Sequence, residues 1–567
     1  MGVIIIKIIE RKANEAKVIE LSNKYNISKD IVSFLLGRNV PENIIPLLVS
    51  KEELELLPNN SLTNVEEAAE LISKYLIDDS NIYIYGDYDA DGVDATYIMY
   101  MALVELAEGL EVKTNIVYHL PNRCEGYGLS MKWCEELESN NNTLVITVDN
   151  GISKVEEVKY LKSKGIEVLI TDHHKPQAEV PGCLIVDAHL YDTNNVNACG
   201  LCGAAVAYKV VAYLYEMYQL DYEYVKKYVS HVGVATITDV MPFTEENVIF
   251  VSNTLKYIND YPYENEEYIP ITEPMYYYAE YTKKEKTTAK DIAFGLGPQI
   301  NSCGRMGNIQ TAMDFMLSTH PDDLAESFKN MVDYNEIRKA TTKKALLKIE
   351  PPEVTDLSLI VKITDVEGIA GSIASNLCEQ YNMPTIVFSS NNGILNGSAR
   401  CPEWFDIQWL LNKTDYIISY GGHTSAAGLS IKEENYDKFI ESFNKAVAKA
   451  PVPVMQTNEV YVDKIITSSD LNRYTINQYD NVLFFNEFTR PVYALKDIQV
   501  LGYHTSSNNP NNICFHVKVN NKTVKLWSWG YTETYKMLGE PKLLNIVGQL
   551  SYFKSMMVID IIDIEAA

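Results

Sequence analysis

Eight residues in four short segments have the types and spacing to hold a divalent cation. Asp87, Asp89 and Asp91 alternate through DYDADG, Asp149 opens DNG, Asp172, His173 and His174 stand together, and Asp239 closes the apolar run VGVATIT. Three carboxylates this close repel one another unless a cation neutralises them or their pKa values rise. Carboxylates joined by one or two histidines, with no thiolate, favour Mn2+ or Mg2+ over Zn2+. Five or more such ligands can hold two ions about 3.5–4 Å apart, which bind a phosphoryl group and lower the pKa of a bridging water. The chemistry within reach is phosphoester hydrolysis by in-line attack.

Simpler readings of the same residues fail on position. The DxDxDG spacing also opens an EF-hand loop, which needs Glu at its twelfth place. Counted from Asp87 that place is Ile98, and an apolar strand precedes the loop. A lone Asp after a strand is usually a helix cap or part of a solvated turn. Four such occurrences in order are not all caps.

The elements that must position these groups follow from the apolar pattern. Ile82–Tyr85 predicts a buried strand, Gly86 breaks it, and ATYIMYMALVELAEGL has helical spacing. LVITVDNGIS (144–153), EVLITDHHKP (167–176) and CLIVDAH (183–189) repeat the strand signal, with the helix KVEEVKYLKSKG between the first two. Strands alternating with helices predict an α/β fold with a doubly wound parallel sheet. Such a sheet delivers the carboxyl ends of its strands to one edge, so acids far apart in sequence converge.

The rest of the chain divides by composition. Residues 1–75 read as an N-terminal helical segment, 76–320 as the domain carrying the acids, and 321–350 as one long connecting helix stopped by Pro351-Pro352. A second, smaller α/β domain is expected over 351–452. VPVMQTN (452–458) reads as a linker, and 458–567 as short strands with turn signals, a small all-β barrel.

Composition sets bounds. The 567 residues suffice for about three or four domains. No apolar run approaches the ~18–20 residues of a membrane span, and MGVIIIKIIERK lacks a basic leader and cleavage pattern, so no membrane partner and a cytoplasmic location are expected. Nine cysteines, with Cys199 and Cys202 as a lone CxxC pair, read as buried thiols in a reducing compartment. The net charge of −27 argues against coating duplex DNA, though part of the acid belongs to metals and a local groove can still be basic. Residues 458–567 carry ten Lys/Arg against eleven Asp/Glu and add little to that excess.

DYDADG, DNGIS, TDHH and TDVMP, in this order, resemble the motifs of the DHH phosphoesterase superfamily, and within it the RecJ-type exonucleases. LCGAAVAYKV, GLGPQINSCGRMG, VEGIAGSIASNL, NGSAR and YGGHTSAAGLSI extend the resemblance through the DHH-associated domain. FFNEFTRPVY and VGQLSYFKSMMVIDIIDIE carry it into an OB-type C-terminal domain, and LLGRNV fits the family's N-terminal helices. The resemblance implies a 5′→3′ exonuclease of DNA repair or recombination that cuts single-stranded DNA to mononucleotides with two Mn2+ or Mg2+ ions. A single-strand-binding protein or a helicase is the kind of protein partner that role implies.

By the same resemblance Asp89, Asp91, Asp149, His173 and Asp239 form the metal core, and Asp87 binds or orients a ligand. Asp172 orients the histidines, and His174 contacts the scissile phosphate or its nucleophile. Asn301 and Arg305 engage DNA phosphate. Ser398, Arg400 and the Gly421-Gly422-His423 turn receive the terminal nucleotide's phosphate. Two α/β lobes would leave a cleft that admits one strand, with Trp527 and Trp529 of the barrel available to stack bases or to fill its core. Asn-Ser-Cys stands where the family's arginine stretch has a hydrophobic-Ala-Ala pattern, and FNEFTRP where the barrel has PFG wording, which touches the barrel's DNA contacts more than the acids. Other DHH phosphodiesterases, of nanoRNase or cyclic-dinucleotide type, need only the two lobes; an inactive scaffold would have lost acids that are all present here.

Overall fold

A computed structural model describes the chain apart from residues 1–6, 138–141, 261–270, 283–285, 351–352, 354–356, 364–366, 392, 403, 423, 451–458, 508 and 554–555. Pro351 and Pro352, His423 and the 452–458 linker therefore lie outside the described residues. The chain forms two compact units, Leu56–Val454 and Met1–Glu55 together with Met455–Ala567. Residues 1–75, expected as one helical segment, are thus shared between the two. Helix Val65–Ile77 belongs to the larger unit, while Lys7–Glu10 is a strand parallel to Glu459–Val462 in the smaller one.

The larger unit opens with a five-stranded, wholly parallel sheet. Its order is Asn115–His119, Asn81–Tyr85, Thr143–Val148, Glu167–Thr171, Leu184–Val186. Thr143–Val148 is buried at every position, as expected of a central strand covered on both faces. Each fully buried Val, Leu or Ile there contributes roughly 1.5–3 kcal/mol. The chain moves outward in both directions from Asn81–Tyr85, so the crevice at which its topology switches lies between that strand and Thr143–Val148. The first acidic loop and Asp149 leave these two strands.

Helix Ala90–Gly109 follows the first strand. It is capped by Asp89, whose Oδ1 accepts from the Gly92 N–H at 3.1 Å, and its first half is buried almost all round. Helices Gly203–Met217 and Val229–Thr238 pack beside it. The long helix Pro321–Leu346 has Pro at its start, acids in its first turn and Lys343 and Lys344 in its last, in keeping with its dipole. Phe328 packs on Phe315 and Tyr281 of the first domain, and Ala345 joins the core of the second. One helix thereby anchors both domains.

The second domain is a mixed five-stranded sheet in the order Ile417–Gly422, Ala426–Lys432, Ile394–Arg400, Thr385–Asn391, Leu359–Ile363. Only the last two are parallel to each other. Helices Ala370–Tyr381 and Tyr436–Lys449 cover it.

In the smaller unit Val492–Thr505 pairs with both Ile513–Val519 and Leu543–Phe553. With Lys522–Ser528 and Met556–Ala566 they close a five-stranded barrel of OB type. The long first strand serves both neighbours by bending where the register slips between Leu495 and Ile498, with Asp497 at φ 53°. Arg38, from LLGRNV, holds Asp463 through a fork with Nε–Oδ1 at 2.9 Å and Nη2–Oδ2 at 2.6 Å. That geometry makes a strong, directional pair between two distant parts of the chain.

Candidate metal centre

The carboxyl ends of three strands bring the expected acids together. Asp87, Asp89 and Asp149 offer oxygens within 4.8 Å of one another; so do the ligand atoms of Asp149, His173 and His174, and those of Asp91, His173 and Asp239. His173 Nε2 lies 3.1 Å from Asp149 Oδ1, 3.6 Å from Asp91 Oδ2 and 3.9 Å from Asp239 Oδ2. Asp87, Asp91 and Asp149 are each only 2% exposed. Asp239 is not at a strand end: it caps helix Val229–Thr238 at the rim of the site.

Backbone N–H groups hold Asp91 and Asp172. The N–H groups of Gly203 and Ala204, at the start of their helix, both donate to Asp91 at 2.7 Å. This pairs a buried carboxylate with a helix N-terminus. The approach leaves no room at residue 203, where a Cβ would meet Asp149 at 2.5 Å. Asp172 Oδ1 accepts from the His173 and His174 N–H groups and pairs with His174 Nδ1 at 2.8 Å, while its Oδ2 accepts from the Ile152 N–H. It therefore fixes the His174 imidazole and the backbone that carries His173.

Strain concentrates here. Asp149 has φ 61°, and Val240, just after Asp239, has φ 55°. A β-branched residue in the left-handed region is unfavourable and persists only where its surroundings impose it.

The electrostatics call for positive charge. Burial, then the charge of Asp89, pushes the Asp87 carboxyl up to about 8. Burial and the neighbouring acids Asp91, Asp89 and Asp87 hold Asp149 well above the carboxylate range, and burial raises Asp91 too. Asp172 goes the other way: burial opposes its charge, but the His174 hydrogen bond and imidazolium outweigh it and lower its pKa. His174 is reciprocally held at about 9, burial being overcome by Asp172. The Oδ1 atoms of Asp87 and Asp149 are buried and accept no hydrogen bond. Orphan acceptors at this density, among carboxylates and an imidazole, fit a hard or borderline divalent cation.

Three further residues, with no role expected from the sequence, complete the site: Asn150 of the DNGIS segment, Tyr127 and Asp187. Asn150 is fully buried; its Nδ2 donates to the Tyr85, Gly86 and Val148 carbonyls and its Oδ1 accepts from the Leu129 N–H. It ties the two metal-bearing loops into one piece. The Tyr127 hydroxyl lies 3.1 Å from the His174 ring. Asp187, ending the strand Leu184–Val186, is pushed up to about 7 by burial and by Asp172.

Beyond the acids stands a set of guanidiniums. Arg305 is held down at about 10 by burial and then by the like charges of Arg123 and Arg338, with Arg400 adding to them and Asp89 opposing. Among the described residues none of the four arginines pairs with a carboxylate. Arg305 Nη1 donates to the Gly368 carbonyl at 3.2 Å, and a Cβ at residue 368 would strike the Arg305 carbonyl. The first and second domains therefore touch at this arginine. Arg123 lies over the Tyr88 ring at 4.4 Å. Asn301 is occupied differently from the sequence expectation, since its Oδ1 accepts from the Ala90 N–H and holds the first acidic loop.

Ser398 and Arg400 lie in the strand Ile394–Arg400, not in a turn, and face away from the buried Leu395, Gly397 and Ala399 side. Arg400 Nε donates to Ser375 of the covering helix at 3.2 Å. Gly421 and Gly422 also belong to a strand, paired with Gly428 and Ala427. Theirs is an edge strand, so its outer N–H groups remain outside the ladder.

Residues 81–236 match the DHH family, N-terminal domain, and residues 358–449 the DHHA1 domain. The chain thus carries a DHH domain followed by a DHHA1 domain. Its DHH domain contains the whole carboxylate–histidine cluster except Asp239, three residues beyond the match. The DHHA1 domain contains Ser398 and Arg400. The single-stranded-DNA-specific exonuclease RecJ of Haemophilus influenzae is 28% identical over 489 residues, 81% of this chain and 82% of that protein. RecJ of Bacillus subtilis is 24% identical over 95% of this chain and 68% of its own length. The crystal structure of RecJ in complex with Mn2+ from Thermus thermophilus superposes with a TM-score of 0.79 at 22% identity, over 99% of this chain and 79% of that one. It shares the fold.

Proposed function

We propose that this chain is a RecJ-type exonuclease that hydrolyses single-stranded DNA to mononucleotides in the 5′→3′ direction. Mn2+ or Mg2+ would be held by Asp87, Asp89, Asp91, Asp149, His173 and Asp239. The observation that carries this reading is Asp149. Its buried carboxylate, 3.1 Å from His173 Nε2, belongs both to the group with Asp87 and Asp89 and to the group with the histidines. One carboxylate placed between two ligand groups suits a pair of cations. The relatives named single-stranded-DNA-specific exonucleases supply the substrate class.

Divalent cations, when bound, supply the positive charge that neutralises these acids, draws in a phosphate and activates water. The chain's own groups do the rest. Gly203 and Ala204 hold the Asp91 carboxylate and Asn150 ties the loops that carry the other acids, so little reorganisation accompanies the reaction. Asp172 keeps His174 protonated near neutral pH, and its Nε2, 3.1 Å from the Tyr127 hydroxyl, carries the proton it would offer a phosphate oxygen. Arg123, Arg305, Arg338 and Arg400, unpaired with acids, receive the DNA backbone, and Ser398 with Arg400 meets its 5′ end. A few concentrated guanidiniums reconcile strand binding with the acidic chain as a whole.

The test is cleavage of a 5′-labelled single strand in Mn2+ by the parent and by Asp149→Asn, which keeps the volume and tolerates the left-handed backbone. Loss of mononucleotide release in the folded variant supports the assignment. Equal rates would overturn it.

A further inference from the structure

A second constellation of ligand atoms lies on the barrel, with different chemistry. His504, Cys514 and His516 bring one ligand atom each within 4.8 Å of one another. The strand register explains why. Ile513, Phe515 and Val517 fill the barrel core, so Cys514 and His516 point outward on the same face. His504 sits directly opposite Cys514, while Gly502, opposite His516, presents no side chain. His516 leans into that gap, and His504 Nδ1 comes 2.9 Å from His516 Nε2. The thiol of Cys514 lies buried beside the two imidazoles. Trp527, opposite Cys514 on the next strand, packs edge-on to His504 at 5.3 Å.

We propose that His504, Cys514 and His516 bind Zn2+, with the fourth coordination position open on the outer face of the barrel. Imidazole and thiolate are borderline-to-soft ligands that select Zn2+ over Mn2+ and Mg2+, the reverse of the oxygen-rich bias of the carboxylate centre. The nitrogen–nitrogen distance is close to what a tetrahedral ion requires, and the sulfur lies within 4.8 Å of both nitrogens. Zn–N bonds of about 2.05 Å put two nitrogens about 3.4 Å apart, and a Zn–S bond of about 2.3 Å puts sulfur about 3.6 Å from each. The imidazoles need to separate by only about 0.5 Å, within reach of small side-chain rotations.

The protons balance simply. The Cys514 S–H bond breaks and its proton goes to solvent as the S–Zn bond forms. The imidazole that donates in the present His–His contact moves its proton to its other ring nitrogen and offers the freed lone pair. Burial pushes the Cys514 thiol up to about 11, with Lys525, opposite His516, opposing it, so the thiol holds its proton until a cation displaces it. Three protein ligands and a free position make this an open site, able to take water or an added anion.

Co2+ serves as the probe, because thiolate ligation gives a near-ultraviolet charge-transfer band absent from oxygen and nitrogen sites. The full chain, without a polyhistidine tag and with saturating Mg2+ on the carboxylate centre, is titrated with Co2+. The expected result is a thiolate-to-cobalt band that Zn2+ abolishes and Mg2+ does not. It persists in Asp149→Asn and disappears in Cys514→Ser. Loss of a metal-supporting group already costs 10–100-fold in affinity, so His504→Ala and His516→Ala, at exposed and half-exposed positions, should each weaken Co2+ binding by at least about tenfold. These two decide the matter if the buried serine prevents folding. Absence of the band in the parent, its survival in Cys514→Ser, or unchanged affinity in both histidine variants would overturn the site.

Discussion

The two domains that make up the larger unit present opposite kinds of surface to a substrate. The DHH domain offers buried carboxylates, strained backbone and orphan oxygens, with Asp91 held at a helix N-terminus and the acid-bearing loops tied by Asn150. The DHHA1 domain offers Arg400 and Ser398 on a strand, with an edge strand of glycines beyond them. Acids need a rigid, dry setting because their usefulness lies in a field that a cation must answer. A guanidinium that meets a phosphate needs only reach and the absence of a competing carboxylate. The contrast assigns chemistry to the first domain and strand positioning to the second, and the two should fail differently.

The largest effect is expected on the acidic wall. Asp149→Asn and His173→Ala should each lower the rate of single-strand cleavage in saturating Mn2+ by about a thousandfold or more. That corresponds to loss of roughly 4 kcal/mol of transition-state stabilisation. Circular dichroism should be unchanged, and near-parental rates in either variant would remove it from the metal centre.

Asn150→Ala should break the wall by a different route. It strips three carbonyls and one N–H of their partner in a buried loop. A cost of about 3 kcal/mol in denaturant unfolding is expected, with activity falling alongside it. A purely local effect, with full activity in the folded fraction, would mean that the loops do not need this tie.

On the basic wall the effects should be smaller and substrate-dependent. Charge-assisted hydrogen bonds to phosphate are worth roughly 1.5–3 kcal/mol. Arg400→Ala should therefore reduce kcat/KM on 5′-phosphorylated single strands by about ten- to a hundredfold. It should act less on 5′-hydroxyl strands and leave Mn2+ binding intact. An equal loss on both ends would deny Arg400 the role of end-reader.

The raised carboxyl pKa values add a pH test of the same contrast. Asp87 titrates at about 8 in the folded protein, far above an unfolded carboxyl at about 3.9. Between those limits the folded state binds more protons than the unfolded one, so metal-free stability falls as pH rises. The melting temperature in chelator should drop by a few degrees from pH 5 to pH 8. Mn2+ should restore more at pH 8 than at pH 5. A flat metal-free profile would show that these acids are not held out of their normal range.

The smallest effect concerns salt. If four guanidiniums carry the backbone contacts, the slope of log K against log salt should be near −3, at about −0.7 per phosphate. Arg338→Ala should make it shallower by about that one increment.

The acidic wall is legible from sequence because most of its residues sit just past strand ends, and parallel strands bring those ends to one edge. The basic wall is not. Arg123 comes from a loop and Arg338 from the middle of a helix recognised by its length, and neither has a neighbour in sequence that explains it. NGSAR reads as a turn because Asn-Gly usually is one; here Gly397 is pressed against Phe388 and Leu429 in mid-strand. The strand Asn115–His119 lies at the sheet's edge and is only half buried, and its short Ile116–Tyr118 run has no acid or glycine directly after it to mark it as part of the site. Lys7–Glu10 pairs with Glu459–Val462, a contact across most of the chain that no local pattern encodes.

On the proposed function, these walls serve a single DNA strand entered from its 5′ end. The direct measurement compares, in Mn2+, a long 5′-labelled single strand, the same strand in a blunt duplex, and a dinucleotide. The expected result is rapid release of labelled mononucleotide from the long single strand, with the duplex resistant and the dinucleotide slower. A dinucleotide or duplex cleaved as fast as the single strand would contradict it.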